Sequence, residues 1–246
     1  MRVSVELVPR SGEALQRQLD EVRELARVDT VNVPDILRFP VRSWDACGPA
    51  RACGFRAVPH LRAVDVDLDR ALPFADALLE HGIDEVLVIA GDTPADMSRS
   101  VYETSSEALI RRLKRERPEL TVYAALDPYR QSFVAERDYA QRKLDAGAEG
   151  LFTQPFFDLR LLEVWGDVVD RLGVPVFWGA TSVTSERSRR YWTSRNRAVL
   201  PADFAPTLEH SRDVARGVLA FARRRGEHAY FMPIRVSSLA YLEGVL

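Results

Sequence analysis

Two polar side chains stand at the ends of apolar runs, and their types suit chemistry. Glu6 interrupts the stretch VSVELVP, and Gln154 interrupts GLFTQPFFD. A carboxyl group among apolar neighbours has a raised pKa, which suits a general acid working near neutral pH. The Gln154 amide offers a donor and an acceptor beside the rings of Phe156 and Phe157, and burying it unpaired would cost about 1–3 kcal/mol. This combination favours a planar heteroaromatic ligand such as a pterin, a flavin or a nicotinamide.

Further polar or special residues follow other apolar runs. They are Asn32, Asp35, His60, Gly91, Asp92, Asp127, Tyr129 and Arg235. Structural roles compete for several of them: Asp92 in AGDTP suits a helix N-cap, and Asp127 before a proline suits a turn. His60 alone is as often a structural histidine as a functional one. Their common position at the ends of apolar runs favours a shared site.

Other kinds of active site find little support. Four histidines, at positions 60, 81, 210 and 228, have no metal-ligand spacing, so no metal site is predicted. Cys47 and Cys53 have no second pair and are expected to be reduced thiols. No Ser/His/Asp arrangement stands out, and Lys143 lies on a predicted helix, which argues against a Schiff base.

The elements that must position these residues alternate regularly along the chain. Eight short strand-like runs are predicted, at 3–8, 30–33, 56–59, 85–89, 120–125, 150–153, 175–178 and 229–232. The clearest helix patterns are 12–27, 68–81, 104–117, 133–146, 159–172 and 211–225. The segment 35–53 is weakly patterned, and 181–210 is predicted as a long helical loop of the kind that forms lids or binding elements.

Eight alternations in 246 residues predict a single (β/α)8 TIM barrel over residues 1–246, with the site at the carboxyl ends of the strands. A doubly wound open sheet is the alternative, but no glycine-rich phosphate-binding motif is present. A net charge of −2 shows no excess of basic residues of the kind that favours nucleic-acid binding. Neither a signal peptide nor an apolar run of membrane-spanning length is seen, so a cytoplasmic protein without a membrane partner is expected.

Five motifs in order carry a family resemblance. They are VELVPR, VPHLRA, VLVIAGDTP, RKLDAGAEGLFTQPFFD and YFMPIR. Together they resemble methylenetetrahydrofolate reductase, a TIM-barrel oxidoreductase that reduces 5,10-methylenetetrahydrofolate to 5-methyltetrahydrofolate. The fourth motif is the most specific, and the resemblance runs nearly end to end. It implies a folate substrate and a short bacterial-type form.

The resemblance also implies roles for individual residues. Glu6 matches the family's catalytic glutamate, a general acid that helps open the methylene bridge to an iminium. Asp92 is expected to hydrogen-bond the pterin edge. Gln154 is expected to hold the pterin and, in turn, the nicotinamide, with Phe156 or Phe157 shaping the pocket wall.

Cofactor contacts are implied for His60, Gly91, Asp127, Tyr129, Lys143 and Gln154. Several positions depart from the pattern of FAD-binding members: Ala90 replaces an arginine, Arg62 a threonine, and the sequence 126–128 replaces Tyr-Pro-Glu. An iminium carbon can accept hydride directly from NADH or NADPH. We therefore expect a variant that binds FAD weakly or not at all.

Three alternatives stay open. The first is a conventional FAD-dependent reductase, in which nicotinamide and folate take turns on the flavin. The second is a barrel lyase or flavin enzyme acting on another heterocycle, and the third is a non-catalytic folate-binding barrel or partner subunit. Arginines at 187, 189, 190, 195 and 197 are candidates for holding a folate glutamate tail, although a solvated basic helix explains them equally well. Neither self-association nor the choice between NADH and NADPH is predicted.

Overall fold

Eight parallel strands form a closed barrel in the computed structural model, which describes residues 1–93 and 100–246. The strands are β1 Val3–Glu6, β2 Thr30–Val33, β3 Arg56–Arg62, β4 Glu85–Ile89, β5 Thr121–Leu126, β6 Gly150–Pro155, β7 Val176–Thr181 and β8 His228–Met232. Each strand pairs with the next, and β8 pairs with β1 to close the ring. The predicted (β/α)8 TIM barrel is confirmed.

Helices surround the barrel. Within the described residues they are α1 Gly12–Arg23, α2 Ser43–Ala52, α3 Ala75–Glu80, α4 Ser106–Glu116, α5 Phe133–Asp145, α6 Leu159–Asp170, α7 Glu186–Arg190, α8 Leu208–Arg225 and α9 Ser238–Leu242. Most begin at a side-chain cap: the hydroxyls of Ser11, Ser105, Ser132 and Thr207 each accept a backbone N–H three residues on. None of these helices is both long and apolar enough to span a lipid bilayer.

Two helical segments differ from the sequence prediction. The helix predicted over 68–81 forms only as α3, because Pro73 cannot donate a backbone hydrogen bond and restricts the residue before it. The weakly patterned segment 35–53 contains α2. Its small residues Ala46 and Ala50 are fully buried, so close packing and not hydrophobic periodicity defines this helix.

The predicted long helical loop follows β7. It contains α7, a π-helical turn over Tyr191–Arg195, and an irregular stretch before α8. A small apolar cluster anchors the loop to the barrel rim through Phe157, Trp192 and Phe204. The Phe157 ring centroid lies 5.3 Å from that of Trp192 and 5.9 Å from that of Phe204.

Side chains from alternate positions fill the barrel interior. The central apolar layer consists of Val58, Leu87, Tyr123, Phe152, Phe177, Tyr230 and Met232. Its densest contact is the stacking of Phe152 on Phe177, with centroids 4.0 Å apart. Because residues two apart on a strand point to the same side, this layer is the floor on which the inward residues at the strand ends rest.

A polar layer closes the opposite end of the barrel. The Arg2 guanidinium donates to the Glu85 carboxylate at 2.8 Å, to the Tyr123 hydroxyl at 3.0 Å and to the Thr30 hydroxyl at 3.1 Å. Arg56 also donates to Glu85, at 2.9 Å. The interior is therefore packed from below, and the open mouth lies at the carboxyl ends of the strands.

Candidate active site

Glu6 ends β1 at the mouth of the barrel. Its side chain is half-buried, and its carboxylate accepts a hydrogen bond from the Tyr230 hydroxyl of β8. Burial raises the pKa of Glu6 to about 7, against the smaller opposing effect of the Tyr230 hydrogen bond. A carboxyl group with a pKa raised this far is partly protonated at neutral pH, which is compatible with a general acid.

Beside Glu6, three buried polar residues form a chain across β1, β2 and β3. The Asn32 amide donates to the Ser4 hydroxyl at 2.7 Å, and the Asn32 amide oxygen lies 3.1 Å from Nε2 of His60. Burial lowers the pKa of His60 to about 3, so the ring is neutral at physiological pH. Since an amide oxygen only accepts, Nε2 carries the hydrogen.

Gln154 projects from β6 into solvent at the mouth. It lies two residues beyond Phe152 of the interior layer, and its amide makes no hydrogen bond to any part of the chain that the structure describes. Pairing with β7 is irregular between Phe152 and Pro155. Gly179 makes this close pairing possible, because a Cβ there would lie only 2.9 Å from the Thr153 carbonyl oxygen. The amide is thus free for a ligand.

Asp92 lies on the segment after β4, with its side chain exposed. Arg62, at the end of β3, donates to the Asp92 carbonyl at 2.6 Å and to the Asp65 carboxylate at 2.8 Å. Gly91 has a φ of 85°, and a Cβ at this position would lie 2.9 Å from Val64. Arg62 and Gly91 together hold Asp92 at the rim, a brace that the sequence did not reveal.

The aromatic residues after Gln154 do not line the mouth. Phe156 is fully buried in the layer between strands and helices, where its ring centroid lies 5.7 Å from that of Trp178. Phe157 is 2 % exposed and packs under the loop after β7. The prediction that either ring forms a wall of the ligand pocket is wrong for this structure, because both faces are covered by protein.

Two residues near β5 are also committed to protein contacts. Lys143 is buried, donates to the Ala125 carbonyl, and lies with Nζ 3.9 Å from the Tyr139 ring centroid. Burial lowers the pKa of Lys143 to about 8. The Tyr129 hydroxyl donates to the Pro155 carbonyl at 2.8 Å. Neither side chain offers a free polar group to the mouth.

The arginines of the loop after β7 lie on its surface. Arg189 pairs with Glu186 at 3.4 Å. Those at 187, 190, 195 and 197 are exposed and have no carboxylate partner among residues 1–93 and 100–246. The glutamate-tail role stays a prediction.

Comparison with known proteins identifies the family. A model of the methylenetetrahydrofolate reductase family matches residues 43–221, well over half of the chain. This chain belongs to the methylenetetrahydrofolate reductase family. The matched region contains His60, Asp92 and Gln154 but neither Glu6 nor Tyr230. The case for Glu6 therefore depends on its position in the barrel and on its raised pKa.

Relatives within the methylenetetrahydrofolate reductase family are distant. The 5,10-methylenetetrahydrofolate reductase of Escherichia coli K12 is 24% identical over 165 residues, which cover 66% of this chain and 56% of that protein. The Salmonella typhimurium enzyme is 28% identical over 107 residues, covering 43% of this chain and 36% of that protein. The chain thus matches 56% of the length of the first of these relatives and 36% of the length of the second.

Solved structures share the fold at lower identity. A Clostridium thermocellum protein described as binding two copies of 5-methyl-5,6,7,8-tetrahydrofolic acid aligns with a TM-score of 0.68 at 11% identity, covering 99% of this chain and 92% of that one. A GH113 β-1,4-mannanase aligns with a TM-score of 0.58 at 13% identity, covering 94% and 87%. At these identities, the likeness shows the barrel fold alone.

Residues implied to hold FAD in a methylenetetrahydrofolate reductase do not converge here. His60 is bonded inside the barrel, and Lys143 and Tyr129 are bonded to backbone carbonyls. The half-buried Asp127 carboxylate accepts the backbone N–H of Tyr129, and burial raises its pKa. Of the implied set, only Gly91 and Gln154 lie open at the rim. Among the described residues, the set implied for FAD is therefore not gathered as free polar groups at the mouth.

Proposed function

We propose that this chain reduces 5,10-methylenetetrahydrofolate to 5-methyltetrahydrofolate, with hydride taken directly from NADH or NADPH. The observation that carries the proposal is the Glu6 carboxyl group, placed at the mouth with a pKa near 7 and a tyrosine hydroxyl bonded to it. Family membership supports the substrate class. The free Gln154 amide supports a ligand with amide-like edges.

Glu6 supplies the proton that the reduction consumes. Its neutral carboxyl group gives that proton to one nitrogen of the methylene bridge, and the bond from this nitrogen to the bridging carbon breaks. The lone pair of the second nitrogen then forms an iminium with that carbon. Hydride moves from the reduced nicotinamide to the iminium carbon, which leaves a methyl group and an oxidised nicotinamide. Tyr230 stabilises the carboxylate until it regains a proton from water.

Direct transfer is the variant that the site favours, since the residues implied for FAD are bonded elsewhere. The test measures NADH and NADPH oxidation with 5,10-methylenetetrahydrofolate by flavin-free protein, with and without added FAD. Turnover without flavin is expected. Turnover only after FAD is added would contradict direct transfer and restore the conventional family mechanism. Folate binding without turnover in either case would identify a binding protein.

We expect activity to fall as pH rises above about 7. The Glu6 proton is needed for ring opening, and its raised pKa means that the acid form is present below this pH and lost above it. In Tyr230→Phe the hydrogen bond that lowers the Glu6 pKa is gone, so the fall in activity should begin at a higher pH than in the wild type. The measurement is kcat/KM against pH for both proteins; a fall that begins at the same pH in both would remove Tyr230 from this role.

Gln154→Ala is expected to raise the KM for folate by about three- to tenfold, because a typical hydrogen bond contributes about 0.5–1.5 kcal/mol. The side chain is exposed, so stability should be unchanged. Gln141→Ala is the matched control, since that exposed amide donates to Asp145 on α5, away from the strand ends. Steady-state kinetics with folate as the varied substrate would show the difference, and equal KM values for the two variants would contradict a ligand role for Gln154.

A further inference from the structure

A cleft of about 400 Å³ opens beside the mouth, between the segments that follow β2, β3 and β4. Its volume falls within the range of about 300–1,000 Å³ typical of small-molecule sites. Charged and aromatic side chains share its wall: Asp35, Arg42, Trp44, Arg62, Asp65 and Tyr102. Arg62 also bonds the Asp92 carbonyl, so the cleft and the rim of the mouth share a residue.

The charges of the cleft cancel in pairs. Arg42 contacts the Asp35 carboxylate at 2.5 Å, and Arg62 contacts the Asp65 carboxylate at 2.8 Å. An anionic tail or a free phosphate would have to compete with a carboxylate for each guanidinium. A neutral group with its own donors and acceptors fits such a wall better.

Two polar atoms at this wall lack partners. Nε of Arg42 and Oδ1 of Asp65 are shielded from solvent and make no hydrogen bond within the described residues. Leaving such an atom unpaired costs about 1–3 kcal/mol. A ligand that places a donor near Asp65 and an acceptor near Arg42 would satisfy both atoms after a small side-chain rotation.

The aromatic part of the wall is partly covered by protein. Trp44 is 9% exposed, because the Arg42 guanidinium lies 4.6 Å from its ring centroid and Phe74 packs on it at 5.6 Å. Tyr102 is only half-buried where it lines the cleft, so it offers a flat ring a surface to pack on. Stacking of a base on an aromatic side chain contributes about 1–3 kcal/mol, and adenine carries both an amino donor and a ring-nitrogen acceptor, the kinds of group that the two unpaired atoms require.

We propose that this cleft binds the adenine ring of the nicotinamide dinucleotide, whose reduced nicotinamide reaches the mouth past Arg62. The assignment rests on the proposed function, because it names where the hydride donor of that reaction is held.

Binding of AMP alone tests the cleft without folate or turnover. Calorimetric titration of the full chain is expected to show AMP binding that weakens at least tenfold in Asp65→Asn and in Tyr102→Leu. Asp67→Asn is the matched control: its carboxylate also pairs with an arginine three residues away, at 3.2 Å, but does not line the cleft. No AMP binding, or equal binding in all four proteins, would overturn the proposal.

A second comparison separates the adenine subsite from the reaction itself. Asp65→Asn should raise the KM for NADH or NADPH about tenfold but leave the KM for reduced nicotinamide mononucleotide, which lacks the adenylate half, unchanged. An equal rise for both donors, or weaker folate binding with normal AMP binding, would overturn the assignment. If AMP binding depends on Asp65 but the protein has no reductase activity, the nucleotide site is supported and the proposed function is contradicted.

Discussion

Glu6→Gln is expected to lower kcat by at least about a hundredfold, the contribution typical of a general acid. Glutamine keeps the shape of the side chain and still accepts the Tyr230 hydrogen bond, but it has no proton to give at neutral pH. The dissociation constant for folate should therefore change little. Glu13→Gln, an exposed position on α1, is the matched control. The measurement pairs single-turnover rates with equilibrium folate binding.

Stability distinguishes lost chemistry from lost folding in this variant. The folded-state pKa of Glu6 lies above its ordinary value of 4.5, so the wild-type protein loses stability as pH rises from about 4.5 to about 7. Glu6→Gln has no such loss and should be at least as stable as the wild type at pH 8. Near-normal turnover in a folded Glu6→Gln protein would remove Glu6 from its assigned role.

Arg2→Met is expected to lower the free energy of unfolding by about 2–3 kcal/mol at neutral pH. Removing one partner of a buried ion pair leaves the other charge uncompensated, which typically costs about 3–5 kcal/mol. Arg56 still contacts Glu85, so the expected value lies at or below the low end of that range. Arg17→Met, an exposed position on α1, is the control. Urea unfolding of both variants measures the difference.

The pH dependence of this effect follows from Glu85. Burial raises the pKa of Glu85, but the hydrogen bonds and charge of Arg2, with Arg56 and Tyr123, outweigh burial and leave it below its ordinary value. The pair therefore stabilises the fold at neutral pH, and this contribution is lost as pH falls below about 4.5. The deficit of Arg2→Met should shrink in acid. A constant deficit across the acid range would show that Arg2 acts through packing alone.

Strand order was predictable because alternating apolar residues and turn residues are local signals, and all eight strands occur where the sequence places them. The inward direction of His60 and Gln154 also follows from alternation with Val58 and Phe152. Phe156 shows where alternation along a strand fails to predict the direction of a side chain. Simple alternation places it on the same side as Gln154, but the irregular pairing between β6 and β7 turns it into the outer core.

Contacts distant in sequence account for most of what was missed. Tyr230 is an ordinary aromatic residue of the last strand until barrel closure places its hydroxyl on Glu6. Lys143 matches a cofactor position by motif, but only the packing of α5 on β5 shows that its ammonium group bonds the Ala125 carbonyl. Arg62 acts through its hydrogen bond to the Asp92 carbonyl, which lies 30 residues away in the sequence. No local pattern carries these pairings.

The seam between β1 and β8 makes the surroundings of Glu6 depend on a strand that is synthesised much later. Glu6 emerges early from the ribosome, whereas Tyr230 follows 224 residues later. Until β8 leaves the ribosome and pairs with β1, the first strand has one unpaired edge. During that time the Glu6 carboxyl group lacks both its burial and its hydrogen bond from Tyr230. A nascent chain therefore presents most of the strand ends at the mouth before Glu6 is buried and bonded to Tyr230.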